Sequence, residues 1–157
     1  MSEALPPFQT FLEDNRECVW RFLRGSVGAV EAEDCFQETF IAALRAYPRL
    51  RADSNLRAWV LTIAHRKALD AHRARSLRAV PSARAHELQG RREEPGERDP
   101  VWEAVRELPA RQRAAVALRY IADLPHRDIA VAIGCSEEAA RRSLHEGLTR
   151  LRKELAR

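Results

Sequence analysis

At 157 residues, 45% of them hydrophobic and 32% charged, the chain can form one compact domain or two very small ones. Gly is scarce at six residues, β-branched runs are missing, and Ala, Leu, Arg and Glu dominate, so the expected fold is all-α and not a sheet or a fibre. The formal net charge is only +4, no apolar run is long enough for a bilayer, and the opening MSEALPPFQTF lacks the regions of a signal peptide; a cytoplasmic protein without membrane insertion is expected.

In chain order, Phe8, Phe11, Leu12, Val19, Trp20 and Leu23 predict an amphipathic helix over about 8–24, with Gly25 to Gly28 as a break. A second helix is predicted from about Glu31 to Tyr47, with Phe36, Phe40, Ala43, Leu44 and Tyr47 on one face and Pro48 as its stop. After a polar loop from Arg49 to Asn55, in which Asp53 or Ser54 is the expected N-cap, a third helix spans about 55–75 on Leu56, Trp59, Val60, Ile63 and Ala64. Three such stripes suit one small bundle.

Residues 76–99 mix Pro81, Pro95, Gly90 and Gly96 with Arg, Glu and Ser and predict a flexible basic linker. Val101, Trp102, Val105 and Leu108 then give a short helix, and Pro109 fits the first turn of the next, which runs to about Ala122. The most specific local pattern follows. His126–Ile133 is a short helix, Gly134-Cys135-Ser136 a tight turn, and Glu137 to about Leu155 a long helix with Ala140, Leu144, Leu148, Leu151 and Leu155 as its buried stripe. Gly134 can close the first helix in the left-handed conformation and Ser136 can cap the second, which makes a helix-turn-helix.

Charge is unevenly placed. Residues 1–44 hold eight acidic side chains and three Arg, a net of −5, whereas 65–92 hold eight Arg/Lys against Asp70 and Glu87, a net of +6. A polyanion is drawn to the second stretch; a solvated helix face and a basic linker would read the same way. Cys18, Cys35 and Cys135 are far apart, form no CxxC, and are expected as free thiols. Phosphate-cradling loops, metal-ligand spacings and nucleophile–base pairs are missing, so no catalytic residue, metal or cofactor is expected. His65 and His72, seven apart beside Arg66, Lys67, Arg73 and Arg75, suit a DNA-facing surface better than a metal site.

In a helix-turn-helix the second helix enters the major groove by its first turns, here Glu137, Glu138, Arg141, Arg142 and His145. Arg141 and Arg142 suit guanine or phosphate, and Arg111 and Arg113 at the start of the preceding helix suit phosphate. Glu137 and Glu138 suit the helix dipole, and Glu138 suits a cytosine amine as well. Asp34, Gln37 and Glu38 share a polar face opposite Phe36 and Phe40; a solvated face and a protein-binding surface both remain open for it.

Asp34-x-x-Gln37-Glu38-Thr39-Phe40 resembles the DxxQETF motif of bacterial sigma factors, and Leu56–Ala64 is similar to their LRAWLxxIA helix. Leu108-Pro109-x-Arg111-Gln112-Arg113, Leu118-Arg119-Tyr120, Asp128-Ile129-Ala130 and Gly134-x-Ser136 follow the family's region four. The resemblance implies a region 2-like domain over 1–75, a linker over 76–99, and a region 4-like helix-turn-helix domain over 100–157. The short linker and the lack of an N-terminal extension point to the extracytoplasmic-function class. It further implies that Asp34, Gln37 and Glu38 bind core RNA polymerase. Asp53, Ser54, Asn55, Arg57, His65, Arg66, Lys67 and Arg73 would engage the promoter's minus-ten element, as duplex and melted single strand. Arg111, Arg113, Ser136, Arg141, Arg142, Ser143 and His145 would meet the minus-thirty-five element. An anti-sigma factor that clasps both domains is the further partner the class implies.

This chain departs from the family at Arg51-Ala52-Asp53-Ser54-Asn55, where RGDAS is common, and at Ala139–Ser143; Glu146 stands where a basic residue is frequent. Two other readings stay open at this point. One is a helix-turn-helix regulator of duplex DNA. The other is a degenerate sigma paralogue serving as a polymerase or anti-sigma interaction module.

Overall fold

The computed structural model describes residues 4–78 and 99–157, which form seven α-helices and one 3-10 turn, without a strand among the described residues. α1 (Phe8–Val27), α2 (Ala29–Ala46) and α3 (Leu56–Leu77) make a three-helix bundle. Its centre is aromatic. The Phe11 ring is fully buried and lies 5.4 Å from Phe8, 5.2 Å from Tyr47, 5.7 Å from Trp59 and 6.2 Å from Phe40, in tilted geometries that aromatic quadrupoles favour. The Tyr47 hydroxyl donates to the Pro6 carbonyl and pins the N-terminal segment across the bundle.

α1 does not break at Gly25. It continues as helix to Val27, and the turn into α2 is made by Gly28 alone, whose φ of 85° lies where a Cβ would be strained. Gly25 serves packing instead, as described below. α2 ends one residue earlier than expected, at Ala46, and Pro48 sits in the 3-10 turn Tyr47–Arg49. Neither Asp53 nor Ser54 caps α3. Asn55 does, its Oδ1 accepting from the Ala58 N–H at 3.1 Å.

α3 runs on to Leu77, two residues into the stretch expected as a linker over 76–99; residues 79–98, which hold most of that stretch, lie outside the described residues. Asp99 caps α4 (Pro100–Arg106) through the Val101 N–H, with Pro100 at a position that needs no donor. α5 (Ala110–Tyr120), α6 (His126–Ile133) and α7 (Glu137–Leu155) follow. The α6–α7 turn is as expected from its chemistry. Gly134 is left-handed (φ 71°, ψ 43°), the Cys135 N–H reaches back to the Ala130 carbonyl, and Ser136 Oγ caps α7 by accepting from the Ala139 N–H at 3.1 Å. On α7, Ala140, Leu144 and Leu151 are buried and Leu148 half-buried, but Leu155 is exposed, because the helix outruns the elements beneath it.

The two units share one buried core. α3 packs on α6 and α5, and α1 packs on α4 and α5. The two units approach tightly at Gly25, where a Cβ would stand 2.8 Å from Ile121 Cδ1 and 3.2 Å from Trp102 Cε3. A second such crossing lies at Gly147, where a Cβ would meet Val116 Cγ2 at 3.0 Å, so Gly lets α7 lie close on α5. The three cysteines are free thiols; Cys35 is buried, and Cys18 and Cys135 are half-buried.

Candidate nucleic-acid interface

α2 turns Asp34, Gln37 and Glu38 outward, as expected, while Phe40 is buried and Phe36 partly so. Sequence reasoning missed what lies beside them. Val30, Ile41 and Leu44 are about half exposed (49%, 50% and 55%), and at three- and four-residue spacings they share the stripe of the acidic residues. Leu44 was expected on the inner face with Ala43; Ala43 is buried there, but Leu44 is exposed. A stripe of carboxylates and exposed aliphatics is how a protein-docking face is built, with charge steering the encounter and apolar area holding it.

α3 separates its basic residues onto different faces. Arg66 and Arg73 are exposed and lie two turns apart on one side, with the Asn55 cap at the helix's start. Arg57 is nine positions from Arg66, two and a half turns, and so points the opposite way; its charge acts on Cys18 of α1. Lys67 is half-buried. In the loop before α3, Asp53 pairs with Arg51 at 3.3 Å, fully in solvent.

His65 and His72 share a face, as their spacing predicts, but it is not a solvent face. His65 is only 7% exposed, and both rings border a cavity of about 10 Å³ closed by Ser26 of α1 and by Ala110 and Arg113 of α5. Burial, with the Arg113 and Arg66 charges next, pushes the His65 pKa down to about 4. His72 is lowered too, chiefly by burial and then Arg113, against an opposing hydrogen bond of 2.9 Å to the Ser26 carbonyl. Both rings are therefore neutral in the fold and protonate more readily in the unfolded chain, so stability is intact above pH ~6.5 and is lost as pH falls toward about 4. The loss from His65 is on the order of 3 kcal/mol. Urea midpoints should fall steeply between near-neutral pH and about 4.5 in the native chain, and less steeply in His65→Gln; equal slopes would contradict the account.

In the C-terminal unit, Arg111, Arg141, Arg142 and His145 are exposed. Arg141 is held by Glu137, one turn earlier, at 2.8 Å, which fixes its guanidinium at the start of α7. Two expected contacts are placed elsewhere. Arg113 is 8% exposed and donates to the Arg106 and Leu108 carbonyls at 3.2 Å each, closing the end of α4; this is a structural role that a motif alone does not reveal. Ser143 is 8% exposed on the inner side of α7. Ser136 is engaged by the cap. Glu146 accepts from Gln112 at 3.4 Å and faces a groove with His145, Thr149, Arg150 and Lys153. Among the described residues, no three His, Cys, Asp or Glu gather to hold a metal ion, and no helix is long and apolar enough to cross a membrane.

Two family models match in sequence order: Sigma-70 region 2 over residues 11–78, and Sigma-70 region 4 over residues 98–151. The chain is 35% identical over 158 residues to the ECF RNA polymerase sigma factor SigD of Mycobacterium tuberculosis, spanning 92% of this chain and 74% of that one. It is 33% identical over 132 residues to SigC of the same species, spanning 81% and 71%. The chain belongs to the extracytoplasmic-function sigma factors. In solved structures the same fold recurs in the sigma factor RpoE of Bartonella quintana, determined with the anti-sigma factor NepR (TM-score 0.75, 23% identity, 95% of this chain and 96% of that one). It recurs also in CnrH, determined with the cytosolic domain of CnrY (TM-score 0.73, 21% identity, 95% and 87%).

A sigma factor binds core RNA polymerase and directs it to promoters. That accounts for both matched segments, whereas a duplex-binding regulator accounts only for the second.

Proposed function

We propose that three surfaces divide the work of this sigma factor. The α2 stripe of Asp34, Gln37, Glu38, Ile41 and Leu44 docks on core polymerase. Asn55, Arg66 and Arg73, with Asp53, Ser54 and Lys67, engage the minus-ten element, where neutralising the backbone and holding an unstacked base suit a melted strand. The first turns of α7, with Arg141, Arg142 and His145, read the minus-thirty-five duplex, and Arg111 at the start of α5 contacts phosphate. These roles follow the resemblance residue by residue, leaving out the buried His65, Arg113 and Ser143, Ser136, which caps α7, and Arg57, which is exposed on the side of α3 opposite Arg66.

The observation that carries this reading is the separation of the surfaces. The acidic and aliphatic stripe lies on α2, while the exposed arginines meant for DNA lie on α3, α5 and α7. An acidic face repels DNA and suits a protein; the arginines do the reverse. Binding energy drawn from both promoter elements drives opening, so the protein is not an enzyme. It works where core polymerase works, in the cytoplasm. An anti-sigma factor is its expected inhibitor, as RpoE was solved with the anti-sigma factor NepR.

The test is promoter binding by holoenzyme carrying Arg141→Ala and Arg142→Ala. Each lost contact is expected to cost about 1–3 kcal/mol and to lower the salt slope by about one. An unchanged affinity and slope would remove α7 from the groove.

A further inference from the structure

Four polar side chains that neither the promoter surfaces nor the polymerase surface uses converge on one small cavity. Ser26 comes from α1, His65 and His72 from α3, and Arg113 from α5, and apolar side chains complete a wall around about 10 Å³. That volume takes one water-sized guest and excludes a polyatomic one.

Hydrogen bonding around the cavity is incomplete. Ser26 is 3% exposed, and its Oγ is buried without a partner. The His65 ring, 7% exposed, has no hydrogen-bond partner among the described residues. Arg113 is 8% exposed, and its Nη1 donates to the Arg106 and Leu108 carbonyls. The hydrogens on its Nε and Nη2 have no acceptor among the described residues. His72 is the exception, because its Nε2 donates to the Ser26 carbonyl at 2.9 Å.

Each open position can therefore donate, and one belongs to a cation withdrawn from water. Glu107 acts on Arg113 through space, but burial outweighs it. A buried cation without a counter-charge is costly, and an opposite charge beside it removes much of that cost. Water in the cavity would accept from these donors, but it brings two hydrogens of its own and no charge. A monatomic anion accepts from all of them and supplies the missing charge.

We propose that this cavity binds one chloride ion, held by the Ser26 hydroxyl, the His65 ring N–H and the Arg113 guanidinium, so that an anion joins α1, α3 and α5. Chloride is then a ligand of the folded chain, with a stabilising effect separate from ionic strength. Salt weakens contacts to DNA phosphates. The same ion thus acts in opposite directions on the fold of this protein and on its grip on DNA.

The test is urea unfolding of the full chain at near-neutral pH and constant ionic strength, with sodium chloride exchanged stepwise for sodium gluconate, whose anion is too large for the cavity. The native chain should show a saturable chloride dependence. Its unfolding constant should fall roughly tenfold where chloride reaches about ten times its dissociation constant. The His65 ring resonances should shift with the same chloride midpoint. Ser26→Ala removes one donor to the ion and none of the chain's own hydrogen bonds to that hydroxyl. It should weaken chloride binding by about tenfold, the cost of one hydrogen bond to a charged group, and leave stability in gluconate near native.

Equal urea midpoints in chloride and gluconate overturn the proposal, because the cavity then holds water only. A chloride effect of native size in Ser26→Ala also overturns it, because the ion then binds elsewhere. If Ser26→Ala does not fold, the native His65 resonances decide: a saturable response to chloride and none to gluconate supports the site, and identical responses to both overturn it.

Discussion

Phe11→Ala is expected to lower the unfolding free energy by about 3–5 kcal/mol, the usual cost of deleting a buried aromatic ring. The ring is fully buried and is the one that Phe8, Phe40, Tyr47 and Trp59 all pack around, so its loss removes contacts to α2, α3 and the 3-10 turn at once. A domain of this size has about 5–15 kcal/mol in all, so the variant should lose a large share of its stability and unfold at clearly lower denaturant. Denaturant unfolding of native and variant chains measures this. A loss under about 1 kcal/mol would mean that the aromatic cluster repacks and is not the keystone of the bundle.

The second large effect is on binding and not on folding. Ile41→Asp and Leu44→Asp alter side chains that are half in solvent, so stability should move by no more than about 0.5 kcal/mol. If α2 docks on polymerase, each change puts a charge where aliphatic surface is to be buried and should weaken core binding by about 2 kcal/mol, roughly 30-fold. Glu38→Lys should also weaken it, with an effect that shrinks at high salt because a rim charge acts through the long-range field. Competition with a labelled sigma factor for a limited supply of core enzyme reads all three. Native affinity in Ile41→Asp and Leu44→Asp would place the polymerase contact elsewhere.

The helix-turn-helix was legible in the sequence because its signals are local. Gly134 takes the left-handed conformation and Ser136 caps the next helix whatever surrounds them, and both boundaries of α6 and the start of α7 come out as expected. Local chemistry also announced the aromatic bundle. What was not legible is set by packing between units that are distant in sequence. Gly25 looks like a helix breaker, and only the presence of Trp102 and Ile121 against it shows why a side chain is absent there.

Other residues teach the same lesson for the site. Arg113 belongs to a motif expected to be exposed and basic, but it turns in beneath the end of α4 and donates to the Arg106 and Leu108 carbonyls. His65 sits among basic residues that suggest a DNA contact; its burial under α5 depends on a neighbour that helical periodicity cannot see. Leu44 was expected on the inner face with Ala43 for its hydrophobicity; Ala43 is buried there, and the exposure of Leu44 is what extends the acidic stripe into a docking face. Arg57 and Arg66 are close in sequence and opposed in space by simple helical geometry.

The most direct test of the central claim is run-off transcription from genomic fragments by core polymerase with and without this protein. A sigma factor that binds core and opens promoters should yield discrete transcripts only when it is added, and Arg66→Ala with Arg73→Ala should abolish them while the protein still co-elutes with core. Co-elution with core but no specific transcript from any fragment would contradict the account, leaving a chain that binds polymerase without directing it.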